Sequence, residues 1–117
     1  WYSSFLTLFV LPPLLLSLQG LYGWTALICA AVEGHDTVIP LLLEADAEID
    51  AQSNYGYTPL ILASMHGKEA AVRELLKGNP NLDLKNNSGK TALDKARESF
   101  KVNHQSIVNL LVAHERS

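Results

Sequence analysis

Three sets of residues in this chain have types and spacings that could do chemistry. Asp46, Glu48 and Asp50 alternate like the front of a calcium loop. Such a loop needs a glycine at its sixth position for a sharp turn and a bidentate glutamate at its twelfth. Counted from Asp46, those places hold Ala51 and Tyr57, so the acids read as a solvated helix end and arm. His35, His66, His104 and His114 could each ligate a metal, but none stands at ligand spacing from Cys29 or from a glutamate, and each reads as structural or surface. Cys29 lies in the most apolar stretch, Ala26–Ala31, whereas a reactive thiol needs an accessible, electropositive setting; a buried, inert thiol is expected. Asn86-Asn87-Ser88 is a glycosylation sequon. It coincides with a turn tip where Asn and Ser are favoured for backbone reasons. With no nucleophile–base pair visible, no catalytic residue, cofactor site or metal site is assigned, and the chain is not expected to be an enzyme.

The chemistry that remains is that of contact. Tyr22 and Trp24 flank Gly23, and Tyr55 and Tyr57 flank Gly56. Tyr and Trp bury large rigid area and retain a polar handle, which is why they dominate interface hot spots. Two readings stand side by side: an aromatic ladder for one protein partner, or aromatics that merely pack between adjacent arms, the latter weighing more on Tyr22 and Tyr55 than on Trp24 and Tyr57.

The elements that position these residues are set by one phrase repeated three times. It runs Tyr22-Gly23-Trp24-Thr25-Ala26-Leu27, then Tyr55-Gly56-Tyr57-Thr58-Pro59-Leu60, then Ser88-Gly89-Lys90-Thr91-Ala92-Leu93, a period of 33 both times. Overlaying residues 22–54 on 55–87 gives 11 identities in 33 positions. A fixed period in this range marks a stacked-repeat architecture. Thr25 predicts a helix start by N-capping, and the apolar run to Val32 predicts a helix buried on most sides. Gly34 suits its end, and Asp36–Ala45 reads as a second helix with Asp36 as cap and Pro40 a mild distortion near its first turn. Thr58-Pro59 opens the next first helix, and Lys68–Lys77 forms its partner with Glu69 and Arg73 at i,i+4 spacing.

On these residues the chain resembles the ankyrin repeat: Gly56, Thr58-Pro59-Leu60, Ala63-Ser64, Gly67, Leu75-Leu76 and Leu82-Asp83 in the second repeat, and Gly23, Thr25, Leu27, Ala30-Ala31, Gly34-His35, Leu42-Leu43, Ala47 and Ile49-Asp50 in the first. The resemblance covers Leu21 to His114. It implies an all-α solenoid of three repeats, 22–54, 55–87 and 88–117, each a helix-turn-helix joined to the next by a β-turn finger. Asp46 and Asn79 stand where the family usually has glycine; both tolerate left-handed backbone. The third repeat departs most. Asp94 and Lys95 replace apolar residues, Phe100 replaces the turn glycine, and two extra residues precede Ile107. It reads as a C-terminal cap with one polar face, or as the cut edge of a longer array.

The resemblance also implies a function: a non-catalytic protein-interaction module that presents a concave face of turn tips and first helices. Carried over by position, that face includes Leu21, Tyr22 and Trp24, then Asn54, Tyr55, Tyr57, Met65 and His66, then Ser88, Lys90, Glu98 and Ser99. No cofactor is implied, the partner is a protein of unknown identity, and a monomer is expected. The alternatives are a regulatory fragment of a larger multidomain enzyme or channel, and a membrane-tethered scaffold.

Composition narrows the classes further. The net charge is −3 without a Lys or Arg cluster, which argues against nucleic acid as partner. One cysteine cannot form an internal disulfide, which points to a reducing compartment, cytoplasmic or nuclear. The first 32 residues carry no Asp, Glu, Lys or Arg. Within them, residues 1–20 are set apart from the repeats. The apolar run Phe5–Leu18 is shorter than a spanning helix needs and is interrupted by Pro12-Pro13. Trp1–Gln19 reads as a translated intron end or fragment edge, as a degenerate capping helix, or as an apolar anchor or signal segment; a membrane enters only if Phe5–Leu18 is a genuine anchor.

Overall fold

The computed structural model describes residues 24–116. Among them are six helices: α1 Ala26–Glu33, α2 Val38–Glu44, α3 Pro59–Met65, α4 Glu69–Lys77, α5 Ala92–Glu98 and α6 His104–Arg116. No strand occurs among the described residues. The fold is the all-α repeat solenoid that the period predicts. The inner helices α1, α3 and α5 pack in series, the outer helices α2, α4 and α6 do the same, and each outer helix packs on its own inner partner.

Each inner helix starts for the same local reason. Thr25, Thr58 and Thr91 hold extended backbone, and each Oγ1 accepts from the amide three residues on, at 3.2, 3.1 and 3.2 Å. Each cap contributes on the order of 1 kcal/mol. Thr91 goes further: Asp94 Oδ2 accepts from the Thr91 amide at 3.0 Å, closing a reciprocal capping box. Asp46 and Asn79 both adopt left-handed backbone, φ 67° and 57°, as their places in the repeat predict.

Two local expectations are corrected. Asp36 is not the cap of the second helix. The His35 carbonyl accepts from both Val38 and Ile39, at 3.0 and 3.2 Å, so α2 begins only at Val38 after an uncapped Thr37. Pro40 is then the third helical residue, where a backbone N–H has no intrahelical acceptor, and the helix runs through it unbroken. Cys29 is half-buried rather than buried, because α1 turns its buried face, Leu27, Ile28, Ala30 and Ala31, toward its neighbours and leaves Cys29 to one side.

The core lies between the two helix layers. Leu27, Ile39, Ile61, Val72, Leu75, Ile107 and Leu111 are fully buried there, each such side chain contributing about 1.5–3 kcal/mol. In the third repeat the extra residues form a loop between α5 and α6. It is tied back to the second repeat: Ser99 Oγ donates to the Met65 carbonyl (3.4 Å), and Asn103 Nδ2 to that of Gly67 (2.7 Å). Phe100 and Val102 on this loop are fully exposed. The readings made for residues 1–20, and for Leu21 and Tyr22, lie outside the described residues.

Candidate functional site

The site is built from the finger that precedes α3. The Gly56 amide donates to the Ser53 carbonyl and the Ser53 amide to the Tyr57 carbonyl, both at 2.9 Å, while Ser53 Oγ accepts from the Tyr57 amide at 3.2 Å. This closes a tight turn in which Gly56 has φ 82°, a left-handed conformation that side chains disfavour. Tyr55 is thereby held at the tip, 55% exposed, and Tyr57 at the base, half-buried against the core.

The third-repeat finger fixes this one in space. Asn87 donates its amide to the Tyr55 carbonyl (2.9 Å) and its Nδ2 to that of Asn54 (3.3 Å). Gln52 Nε2 bridges the carbonyls of Gly56 and Lys85 at 2.9 and 3.1 Å. A Cβ at Gly56 would lie 2.9 Å from Asn86 Cα, so the fingers touch backbone to backbone.

Behind the finger, α3 presents Leu62, Met65 and His66, residues three and four apart and so on one helix face. Trp24 stands immediately before the Thr25 cap of α1. Together Trp24, Tyr55, Tyr57, Leu62, Met65 and His66 line an open groove of about 360 Å³. Met65 is shared with a second groove of about 510 Å³, walled by Lys95, Glu98, Ser99, Phe100 and Lys101. Five of the residues singled out from sequence, Trp24, Tyr55, Tyr57, Met65 and His66, therefore meet in one place. Asn54 is beside them at the finger tip, where it is exposed and uses its carbonyl to hold the next finger. Ser88 and Lys90 do not join the groove. Ser88 is an exposed tip of the next finger, and Lys90 Nζ is paired with Glu98 at 2.8 Å. Leu62, buried to 3% exposure, forms the apolar floor, although by sequence it reads as ordinary core.

The electrostatics follow from these neighbours. Burial, then Lys101 and Lys68, push the His66 imidazole below its usual value, with Glu33 pulling weakly the other way. Lys90 and Lys95 both bond to Glu98, which is held below the usual carboxylate range by the two ammonium groups. Burial, and secondarily Glu33, raise the Cys29 thiol, so it is protonated at neutral pH and a poor nucleophile. Asp50, from the acidic triplet, accepts from the Asn81 amide at 3.0 Å and so ties one arm to the next. Among the described residues no group of three His, Cys, Asp or Glu side chains could hold a metal ion, and no helix is long and apolar enough to cross a membrane.

Family models match most of the chain. One described as ankyrin repeats in three copies matches residues 47–117, and one described as an ankyrin repeat matches residues 22–54. No curated protein matches the chain.

Proposed function

The chain belongs to the ankyrin-repeat family, and from that premise we propose that it is a non-catalytic module that binds a protein partner in the groove between the second finger and the inner helices. Ankyrin repeats are generally protein-interaction modules. One observation supports placing the contact here: residues from three separate elements, Trp24 before α1, Tyr55 and Tyr57 on the finger, and Leu62 and Met65 on α3 with His66 at its C-cap, converge on a single apolar groove. The mechanism is rigid presentation. The finger is closed by its own hydrogen bonds and clasped by the next, so little ordering entropy opposes binding. Tyr55 and Trp24 then act as anchors.

The test is capture from host-cell lysate by the full chain beside its Trp24→Ala/Tyr55→Ala variant, with the helical signal of both checked by circular dichroism. Proteins retained by the first and lost by the second are then titrated against both. The expected result is a named partner whose affinity drops at least tenfold in the variant, since truncating a hot-spot aromatic costs about 2 kcal/mol or more. Partners held equally by both chains would overturn the assignment of this face.

A further inference from the structure

The charge of the chain is unevenly placed. Residues 22–54 carry six acidic side chains and no Lys or Arg, whereas residues 88–117 carry five Lys or Arg against three acids. The groove lies in the second repeat between the two regimes, and the adjoining groove that shares Met65 is walled by Lys95 and Lys101 of the basic one. Lys68 and Lys101 occupy equivalent places 33 residues apart. A Cβ at Gly34 would lie 2.9 Å from Lys68 Cδ, and one at Gly67 would lie 2.8 Å from Lys101 Cβ and Cγ. Each lysine stem thus lies across the turn glycine of the repeat before it, and the charges of both act on His66. Among the described residues neither is in an ion pair. In the third repeat, Lys90 and Lys95 share the single carboxylate of Glu98. Exposed charges are screened beyond roughly 8–10 Å at ordinary salt, so this local excess, and not the net charge of −3, is what a bound segment experiences.

We propose that the groove takes an extended peptide segment carrying one large apolar side chain flanked by acidic residues, the apolar group seated over Leu62 and Met65 and the carboxylates facing Lys68 and Lys101. This rests on the proposed function and names the chemistry of its partner. About 360 Å³ is near the lower end of ligand-site volumes, which suits one large side chain with its backbone. A carboxylate seated beside His66 offsets the field of Lys68 and Lys101, adds to that of Glu33, and raises the imidazole from its depressed value. Protonation of His66 therefore favours binding, and affinity rises as pH falls.

The experiment is selection of a random-peptide phage library on the full chain, followed by fluorescence-anisotropy titration of the enriched peptides against Lys68→Gln/Lys101→Gln and Trp24→Ala/Tyr57→Ala variants. Tyr55→Ala, at an exposed tip, is the aromatic variant to use if the second loses its helical signal. The expected outcome is enrichment of Asp and Glu beside Leu, Phe or Trp, with the dissociation constant rising about fivefold in the lysine variant and at least tenfold in the aromatic one. Peptides that need the aromatics but show no acidic bias, or that bind the lysine variant unchanged, overturn this inference and leave the proposed function standing. Peptides indifferent to the aromatics overturn both. Enriched peptides that match a stretch of this chain overturn it in favour of a second copy as occupant. No enrichment over a blank surface overturns it in favour of a folded surface.

Discussion

The second and third fingers have the same turn and are held in opposite ways. In each, the glycine amide donates to the carbonyl three residues back, Gly56 to Ser53 and Gly89 to Asn86, both at 2.9 Å. In each the glycine is left-handed, at φ 82° and 78°. Their surroundings differ. Gly56 is enclosed by Asn86 and Asn87 of the next finger, whereas Gly89 has nothing within 4 Å of where a Cβ would stand. The third finger compensates from within. Asn86 is buried, and its Oδ1 accepts from the amides of both Ser88 and Lys90, at 2.9 and 3.1 Å; the corresponding Ser53 Oγ takes one amide. One turn is braced by its neighbour and the other by its own side chain. A repeat turn is thus a local motif whose tolerance to change is set by whether another repeat lies against it.

The most direct way to break this comparison is to give both turns a side chain. Gly56→Ala meets conformational strain and the Asn86 backbone together, and about 3 kcal/mol of destabilisation is expected. Gly89→Ala meets strain alone, and about 1 kcal/mol is expected. Urea unfolding midpoints measure both. Equal losses would mean that finger-to-finger contact adds nothing. The order reverses when the internal brace is removed: Asn86→Ala deprives two amides of their acceptor and is expected to cost about 2 kcal/mol, against about 1 kcal/mol for Ser53→Ala. If Ser53→Ala proved the worse of the two, the third finger would not be self-braced. Gln52→Ala isolates the bridge between fingers, which it makes through Gly56 and Lys85. It is expected to cost about 1 kcal/mol and to speed amide exchange at Gly56 and Asn87 while leaving Gly89 unchanged.

The smallest effect concerns acid. The helix after the third finger is capped through a carboxylate, Asp94, and the helix after the second only through the Thr58 hydroxyl. Hydrogen bonding from the Thr91 backbone holds the Asp94 carboxyl below its usual value. Its folded value is lower than its unfolded one, so its contribution is fully present above the unfolded value near 3.8 and is lost as pH falls through the folded value. The melting temperature of Asp94→Asn should therefore lie below that of the natural chain at pH about 6 and converge with it in strong acid. A gap that stayed constant with pH would show that the carboxylate is not part of the cap.

The period, the Thr25 cap, the helix start at Thr58-Pro59, the left-handed Asp46 and Asn79, and the i,i+4 pair of Glu69 and Arg73 were all legible in the sequence, and the structure contains each of them. These are short-range features: a cap reaches three residues, a turn four, a helix face one or two turns. The aromatic positions at the groove were legible too, because the repeat carries them to fixed places on the finger. Illegible were the features that depend on which of several nearby groups takes a bond or covers a face. Leu62 reads as core by composition, yet it floors the groove because α3 offers that face to the finger and not to another helix. Lys90 stands on the finger, and its ion pair with Glu98 is not signalled by its position in the repeat. Asp36 reads as a cap, yet the His35 carbonyl supplies the bonds instead. By itself the sequence determined the repeat and each element within it, since hydrogen bonds along the chain decide those. Only the tertiary structure decided which finger is clasped by the next and where the third-repeat loop is tied back, because those depend on atoms 30 or more residues apart that meet only when one repeat stacks on the next.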